Sequence, residues 1–239
     1  MALIDFQTVL GRMLRDQNGH DHLRGVSLDE RESRYIENLR ETSEFRFYAS
    51  VQRSWCIARA TKAAFLTLSL LPQEERERLL DEWVDSGSGN HSFFAVEADA
   101  FLDFIGARLS DRPRELIVSQ FERATLRASN GAEVFVSPDP AALQKPECGL
   151  RRGSYASLVR FEADPGDLPG SLAELFSAGQ IVMFGPGLPQ LWQEPSADEV
   201  DLWETLQSPT PVRTLSTQGQ SIETLERLLH DGVIEYADA

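Results

Sequence analysis

The order of apolar runs in the last third of the chain constrains its fold more than any other feature. Tyr155-Ala156-Ser157-Leu158-Val159-Arg160-Phe161 and Ile181-Val182-Met183-Phe184 read as strands, being rich in β-branched and aromatic residues. Asp164-Pro165-Gly166-Asp167 and Gly185-Pro186-Gly187 are turn signals beside them. Two short amphipathic helices follow. The first begins at Ser196-Ala197-Asp198-Glu199 and carries Val200, Leu202, Trp203 and Leu206. The second runs from Ser221 to His230 on a stripe of Ile222, Leu225, Leu228 and Leu229, with Ser221 as N-cap and Gly232 as C-cap residue. Gly232-Val233-Ile234-Glu235-Tyr236 reads as a final strand.

The first half is helical by pattern. Leu3, Phe6, Val9, Leu10, Met13 and Leu14 recur at helical spacing until Gln17-Asn18-Gly19 stops the run. Ser27 and Glu30 have the capping-box spacing. One long helical pattern then passes through Tyr35, Ile36, Leu39 and Phe45, and another carries Val51, Trp55, Ala58 and Phe65 to about Leu71. Pro72 suits the first turn of a helix, where its missing N–H costs nothing, and Glu74, Glu75 and Glu77 sit at the positive end of that helix dipole. A loop follows at Asp85 to His91, then helices at Phe94 to Leu109 and Pro113 to Ala128. Between Ser129 and Gly153 lie Pro138, Pro140 and Pro146, with Val134-Phe135-Val136 as the one β-like run. The expected class is α+β: a helical bundle over 1–130, a linker or crossover over 131–153, and a small α+β domain over 154–239.

The element order of that last domain resembles a winged helix, a shape often used on nucleic acid. Its charge argues against that use. From Arg151 onward there are five Lys+Arg against fourteen Asp+Glu, 5 − 14 = −9, within a chain of net charge −15. Phosphate neutralisation supplies most nucleic-acid affinity, so the expected ligand is a protein or peptide, with neither nucleic acid nor membrane as partner. The most apolar window, Ala63 to Leu71, falls short of the ~20 residues that span a bilayer. Met1 to Phe6 lacks a basic region followed by a long apolar run, so no signal peptide and a cytoplasmic location are expected. Cys56 and Cys148 are too few for a disulfide scaffold, and Cys56, between Trp55 and Ile57, reads as a buried thiol.

Chemistry-bearing motifs are weak. Gly19-His20-Asp21-His22 places two histidines around an aspartate, but i, i+2 spacing in a loop does not put both rings on one helix face, and a solvated loop is the expectation. Gly-x-Ser-x-Gly does not occur, and Gly87-Ser88-Gly89 lacks the strand before and helix after that hold a nucleophile elbow. Gly185-Pro186-Gly187 has no following Lys-Ser/Thr and loses a donor N–H to proline, so it reads as a turn rather than a phosphate loop. No catalytic or metal-ligating residue is assigned. Trp192, Trp203 and Phe184 read first as core of a small domain. The functional alternative is a groove beside the last helix, where a peptide adds to a strand edge and side-chain pockets give specificity. The candidate peptide-binding residues are Val182, Phe184, Leu225 and Leu228. Asn90 and His91, in the Gly-rich loop ahead of Phe93, are candidates for a protein contact.

Three stretches carry a family resemblance: Arg31-Glu32-Ser33-Arg34-Tyr35-Ile36-Glu37-Asn38, Glu97-Ala98-Asp99-Ala100-Phe101-Leu102-Asp103-Phe104-Ile105, and Phe121-Glu122-Arg123-Ala124-Thr125-Leu126-Arg127-Ala128. With them the helical half resembles a bacterial family described as a putative DNA-binding domain, found beside TIM-barrel multinuclear iron enzymes of peptide modification. The C-terminal domain is similar to the winged-helix-like elements that recognise leader peptides of ribosomally made precursors. Together these imply the non-catalytic partner subunit of a two-protein enzyme that oxidatively modifies a peptide cysteine, as in methanobactin and thiaglutamate biosynthesis. The resemblance implies a precursor leader peptide and a TIM-barrel iron enzyme as partners, no cofactor in this chain, and iron in the partner subunit. The alternative reading is a winged-helix transcriptional regulator on DNA.

Overall fold

A computed structural model describes residues 9–11, 13–14, 29–86, 88, 93–162 and 179–237. The chain divides into two compact units, Met1–Ile105 and Gly106–Ala239.

The described part of the first unit is helical. Helix α1 (Glu30–Glu41) is followed by α2 (Ser43–Ala63), α3 (Phe65–Leu70), α4 (Gln73–Asp85) and α5 (Phe94–Arg108), the last of which spans the division. The capping box at the head of α1 is formed by Asp29 and Glu32, while Ser27 of the expected pair lies outside the described residues: Asp29 accepts the Glu32 N–H at 2.8 Å and Glu32 accepts the Asp29 N–H at 3.0 Å. Glu30 is instead the first helical residue and pairs with Arg34 one turn on. The single helix expected through Tyr35 and Phe45 is broken at Thr42. Its hydroxyl donates to the Leu39 carbonyl at the end of α1 and accepts the Phe45 N–H at the start of α2, so one residue caps both. Trp83 of α4 packs against Phe101 and Phe104 of α5, with both ring centroids 5.2 Å away. Cys56 is buried, as expected.

The second unit is α+β. It contains α6 (Pro113–Ala132), a 3₁₀ turn at Pro140–Gln144, β1 (Gly149–Arg152), β2 (Ser157–Arg160), β3 (Ile181–Phe184) and β4 (Trp192–Gln193). Then come α7 (Ala197–Thr205), β5 (Thr210–Pro211), α8 (Val212–Thr217), α9 (Ile222–His230) and β6 (Ile234–Tyr236). The strands form two antiparallel three-stranded sheets, β5-β1-β6 and β2-β3-β4. Strand β1 lies inside the expected linker and is the centre of its sheet. Its register sets Arg151 opposite Glu235, and the two side chains pair at 2.8 Å. Val134-Phe135-Val136 is not a strand. The N–H groups of Val134 and Phe135 turn back to the Gly131 carbonyl, and Val134 and Val136 are exposed.

One core of this unit gathers Met183, Leu202, Leu215, Leu225, Leu228 and Ile234 with their neighbours. On the other face of β3 lies α6, whose Phe121 ring meets Phe161 and Phe184 with centroids 6.2 and 5.6 Å away. Alternation along β2 follows from this two-sided packing. Val159 and Phe161 are buried, while Leu158 is half-buried and Arg160 exposed.

Candidate functional site

Strand β3 is the middle of its sheet, with β2 on one side and β4 on the other. Strand β2 pairs along all of Ile181–Phe184 and β4 along Met183 and Phe184, so among the described residues the edge expected to take a peptide is open only beside Ile181 and Val182. The run Ile-Val-Met-Phe is apolar at every position because both faces of β3 are covered. Val182, Phe184, Leu225 and Leu228 are all buried, none more than 1% exposed. Nor do they converge. Phe184 faces the Phe121 ring of α6, whereas Leu225 and Leu228 pack with Met183 in the other core. These four residues fill the interior of the second unit and line no open groove. Asn90 and His91 lie outside the described residues, as does the Gly19–His22 segment. Among the described residues no group of three or more His, Cys, Asp or Glu is placed to hold a metal ion.

A groove of the second unit runs along β2. Among the described residues β2 has β3 as its one partner strand, leaving it at the sheet edge. A cavity of about 390 Å³ is lined by Pro113, Leu116, Ile117 and Gln120 from α6, by Arg152 of β1, by Leu158, Arg160 and Glu162 along β2, and by Trp203 and Glu204 of α7. Helix α6 covers the face of Phe161 and Phe184, while Leu158 and Arg160 belong to the opposite set of the pleat. A space lined by both therefore follows the strand edge.

Local chemistry fixes its polar wall. The Arg152 guanidinium lies over the Trp203 ring at 4.6 Å, and its Nε–H donates to the Trp203 carbonyl at 2.8 Å. Arg152 and Arg160 both reach Glu204, at 3.4 and 2.9 Å. The Arg160 hydrogen bond, then the Gln207 amide, hold the Glu204 carboxyl below its usual range, with the charge of Arg152 adding to the effect. The groove thus offers an apolar floor of Leu116, Leu158 and Trp203, two cations bridged by one carboxylate, and a strand edge. Such a set can hold an extended chain by main-chain hydrogen bonds and side-chain contacts.

Gly185-Pro186-Gly187 is the turn leaving β3, as expected, and the Gly187 N–H donates to the Asp231 carbonyl at 3.0 Å. Trp203 was within reach of sequence reasoning as an aromatic of the last domain. Arg152 was not, because it falls in a stretch with the polarity of a linker and meets Trp203 51 residues away. No protein-family model matches the chain. No curated protein sequence matches it either.

Proposed function

We propose that the chain is a non-catalytic, peptide-binding subunit of a two-protein peptide-modifying enzyme, its second unit holding an extended leader peptide against the β2 edge. The observation that carries this reading is the groove between β2, α6 and α7, with Leu158 and Trp203 as floor and Arg152, Arg160 and Glu204 as polar wall. The succession of β1, β2 and β3 before α7, α8 and α9 supports a winged-helix-like recognition element, and the helices before it support an N-terminal bundle. In this proposal a TIM-barrel partner carries the iron and oxidises a cysteine of the bound precursor. That part rests on the resemblance of Arg31–Asn38, Glu97–Ile105 and Phe121–Ala128, which fall in α1, α5 and α6.

Affinity purification of the tagged chain from its native host, with mass spectrometry and metal analysis of the eluate, tests the proposal. A stoichiometric iron-bearing partner and a co-eluting short precursor peptide are expected. Leu158→Glu, which puts a charge in the groove floor, should lose the peptide while keeping the partner. Elution of the chain alone, or peptide retention by a folded Leu158→Glu variant, overturns the groove assignment.

A further inference from the structure

We infer that this chain self-associates through α2, two copies packing antiparallel along an exposed aromatic stripe. Helix α2 is apolar on two opposite faces. Phe45, Ala49, Cys56 and Ala60 are buried inside the first unit. Across the helix, Phe47, Tyr48, Val51 and Trp55 are 65%, 65%, 49% and 59% exposed. Their i, i+1, i+4, i+8 spacing makes one continuous stripe, and the Phe47 and Tyr48 rings already meet edge-to-face at 5.9 Å. Three aromatic side chains and a valine present roughly 400 Å² of apolar surface, a size at which exposed patches mark protein contacts.

The residues at the ends of the stripe select its occupant. Glu44 precedes it by one turn, and Lys62 follows Ala58 on the same side of the helix. About a two-fold axis level with residue 53, Trp55 of one copy faces Val51 of the other, and Tyr48 faces Ala58. Glu44 then faces Lys62. Trp55 and Tyr48 each meet a smaller side chain, and each end carries opposite charges. The Glu44 carboxylate, which accepts the Ser43 hydroxyl at 3.0 Å, and the Lys62 ammonium, which rests 5.3 Å from the Phe94 ring centre, both lie at exposed positions. A parallel arrangement would set Glu44 on Glu44 and Lys62 on Lys62. The stripe is thus self-complementary in one direction only, as an isologous two-fold contact requires. Two such faces bury about 800 Å² in total, below the usual range of stable interfaces and in that of weak, transient ones, so the dimer is micromolar rather than nanomolar.

Sedimentation equilibrium on the full chain, from about 1 to about 200 μM, tests this. The 26.8 kDa chain should pass to a 2 × 26.8 = 53.6 kDa species. Trp55→Glu should weaken the dimer at least ~30-fold, as loss of an aromatic anchor does, with an unchanged circular dichroism spectrum because the side chain is exposed. Glu44→Lys and Lys62→Glu should each weaken it, and the double exchange should restore it. A chain monomeric throughout, or a dimer indifferent to Trp55→Glu, overturns the inference. A double exchange that fails to rescue overturns the antiparallel register. Should the chain stay monomeric while Trp55→Glu abolishes capture of a different protein, the stripe belongs to that protein instead.

Discussion

At the scale of single residues, the second unit invests two carboxylates in its own stability. Glu199, in the first turn of α7, is 5% exposed and closes a capping box with Ser196. The Arg227 guanidinium of α9 also reaches it. Burial alone would raise the Glu199 carboxyl, but the Ser196 N–H and Arg227 outweigh it and hold the group below its usual value. Glu235 follows the same logic, with burial opposed by the Ser154 N–H and hydroxyl and by Arg151. A depressed folded value means stability that is present above the unfolded value of about 4.3 and lost as pH falls through the folded one. The urea midpoint should therefore hold steady on account of these two groups above pH ~5 and fall below pH ~4.3. Glu199→Gln should cost about 1–2 kcal/mol at neutral pH and flatten that acid limb, both read from urea titrations across pH. A Glu199→Gln variant whose acid limb matches the parent would show that the pairing contributes nothing. Leu225→Glu has a different outcome from the one a groove residue would give. Leu225 is fully buried, so a carboxylate there should unfold the second unit rather than release a peptide.

At the scale of elements, the end of α9 shows why a glycine is needed. The Val233 N–H reaches the Leu228 carbonyl and the Gly232 N–H reaches that of Leu229, which is the Schellman pattern, with Gly232 at φ +67°. A Cβ at Gly232 would stand 2.6 Å from Pro186 Cγ and 2.8 Å from Phe135 Cε2. Gly219, at φ +94°, has nothing within 4 Å of such a Cβ. Gly219→Ala should accordingly cost about 1 kcal/mol for backbone strain alone. Gly232→Ala should cost about 2 kcal/mol more, since strain and overpacking add. Equal urea midpoints for the two variants would show that the turn yields freely around residue 232. Elements like α9 were legible because their signals are local: Ser221 caps it, four apolar residues stripe it, and Gly232 stops it. Strand β3 was legible as an apolar run. Strand β1 was not, because Gly-Leu-Arg-Arg becomes a strand through partners far along the chain, Arg151 on Glu235 and Arg152 on Trp203. Sequence patterns also leave unsaid which strand is central, which is why the expected groove was set on β3, the middle strand of its sheet.

At the scale of the whole molecule, charge is the argument for the proposed peptide reading over the DNA reading. The cations from residue 151 onward are Arg151, Arg152, Arg160, Arg213 and Arg227. All five are paired within the chain. Arg151 meets Glu235, Arg152 and Arg160 meet Glu204, Arg213 meets Glu147, and Arg227 meets Glu199 and Asp231. Helix α9, which would enter a groove of DNA in a winged-helix reader, has Glu223 exposed on its first turn. To contact phosphates with these five arginines the chain would have to break their pairs and bring a segment of net charge −9 against a polyanion. Counterion release does not offset that, because only phosphates neutralised by a cation release counterions. The expected result is no retention of a short duplex even at about 10 mM salt, where the Debye length is about 30 Å and any attraction would be least screened. Releasing three guanidinia by Glu204→Gln with Glu235→Gln changes the segment only to −9 + 2 = −7, so this variant should also fail to bind. Fluorescence anisotropy on a labelled duplex reads both. Binding that weakens steeply with added salt would require a cationic face outside these five arginines and would restore the regulator reading; a flat titration would leave the peptide reading standing, with the β2 groove and the α2 stripe as its proposed contact surfaces.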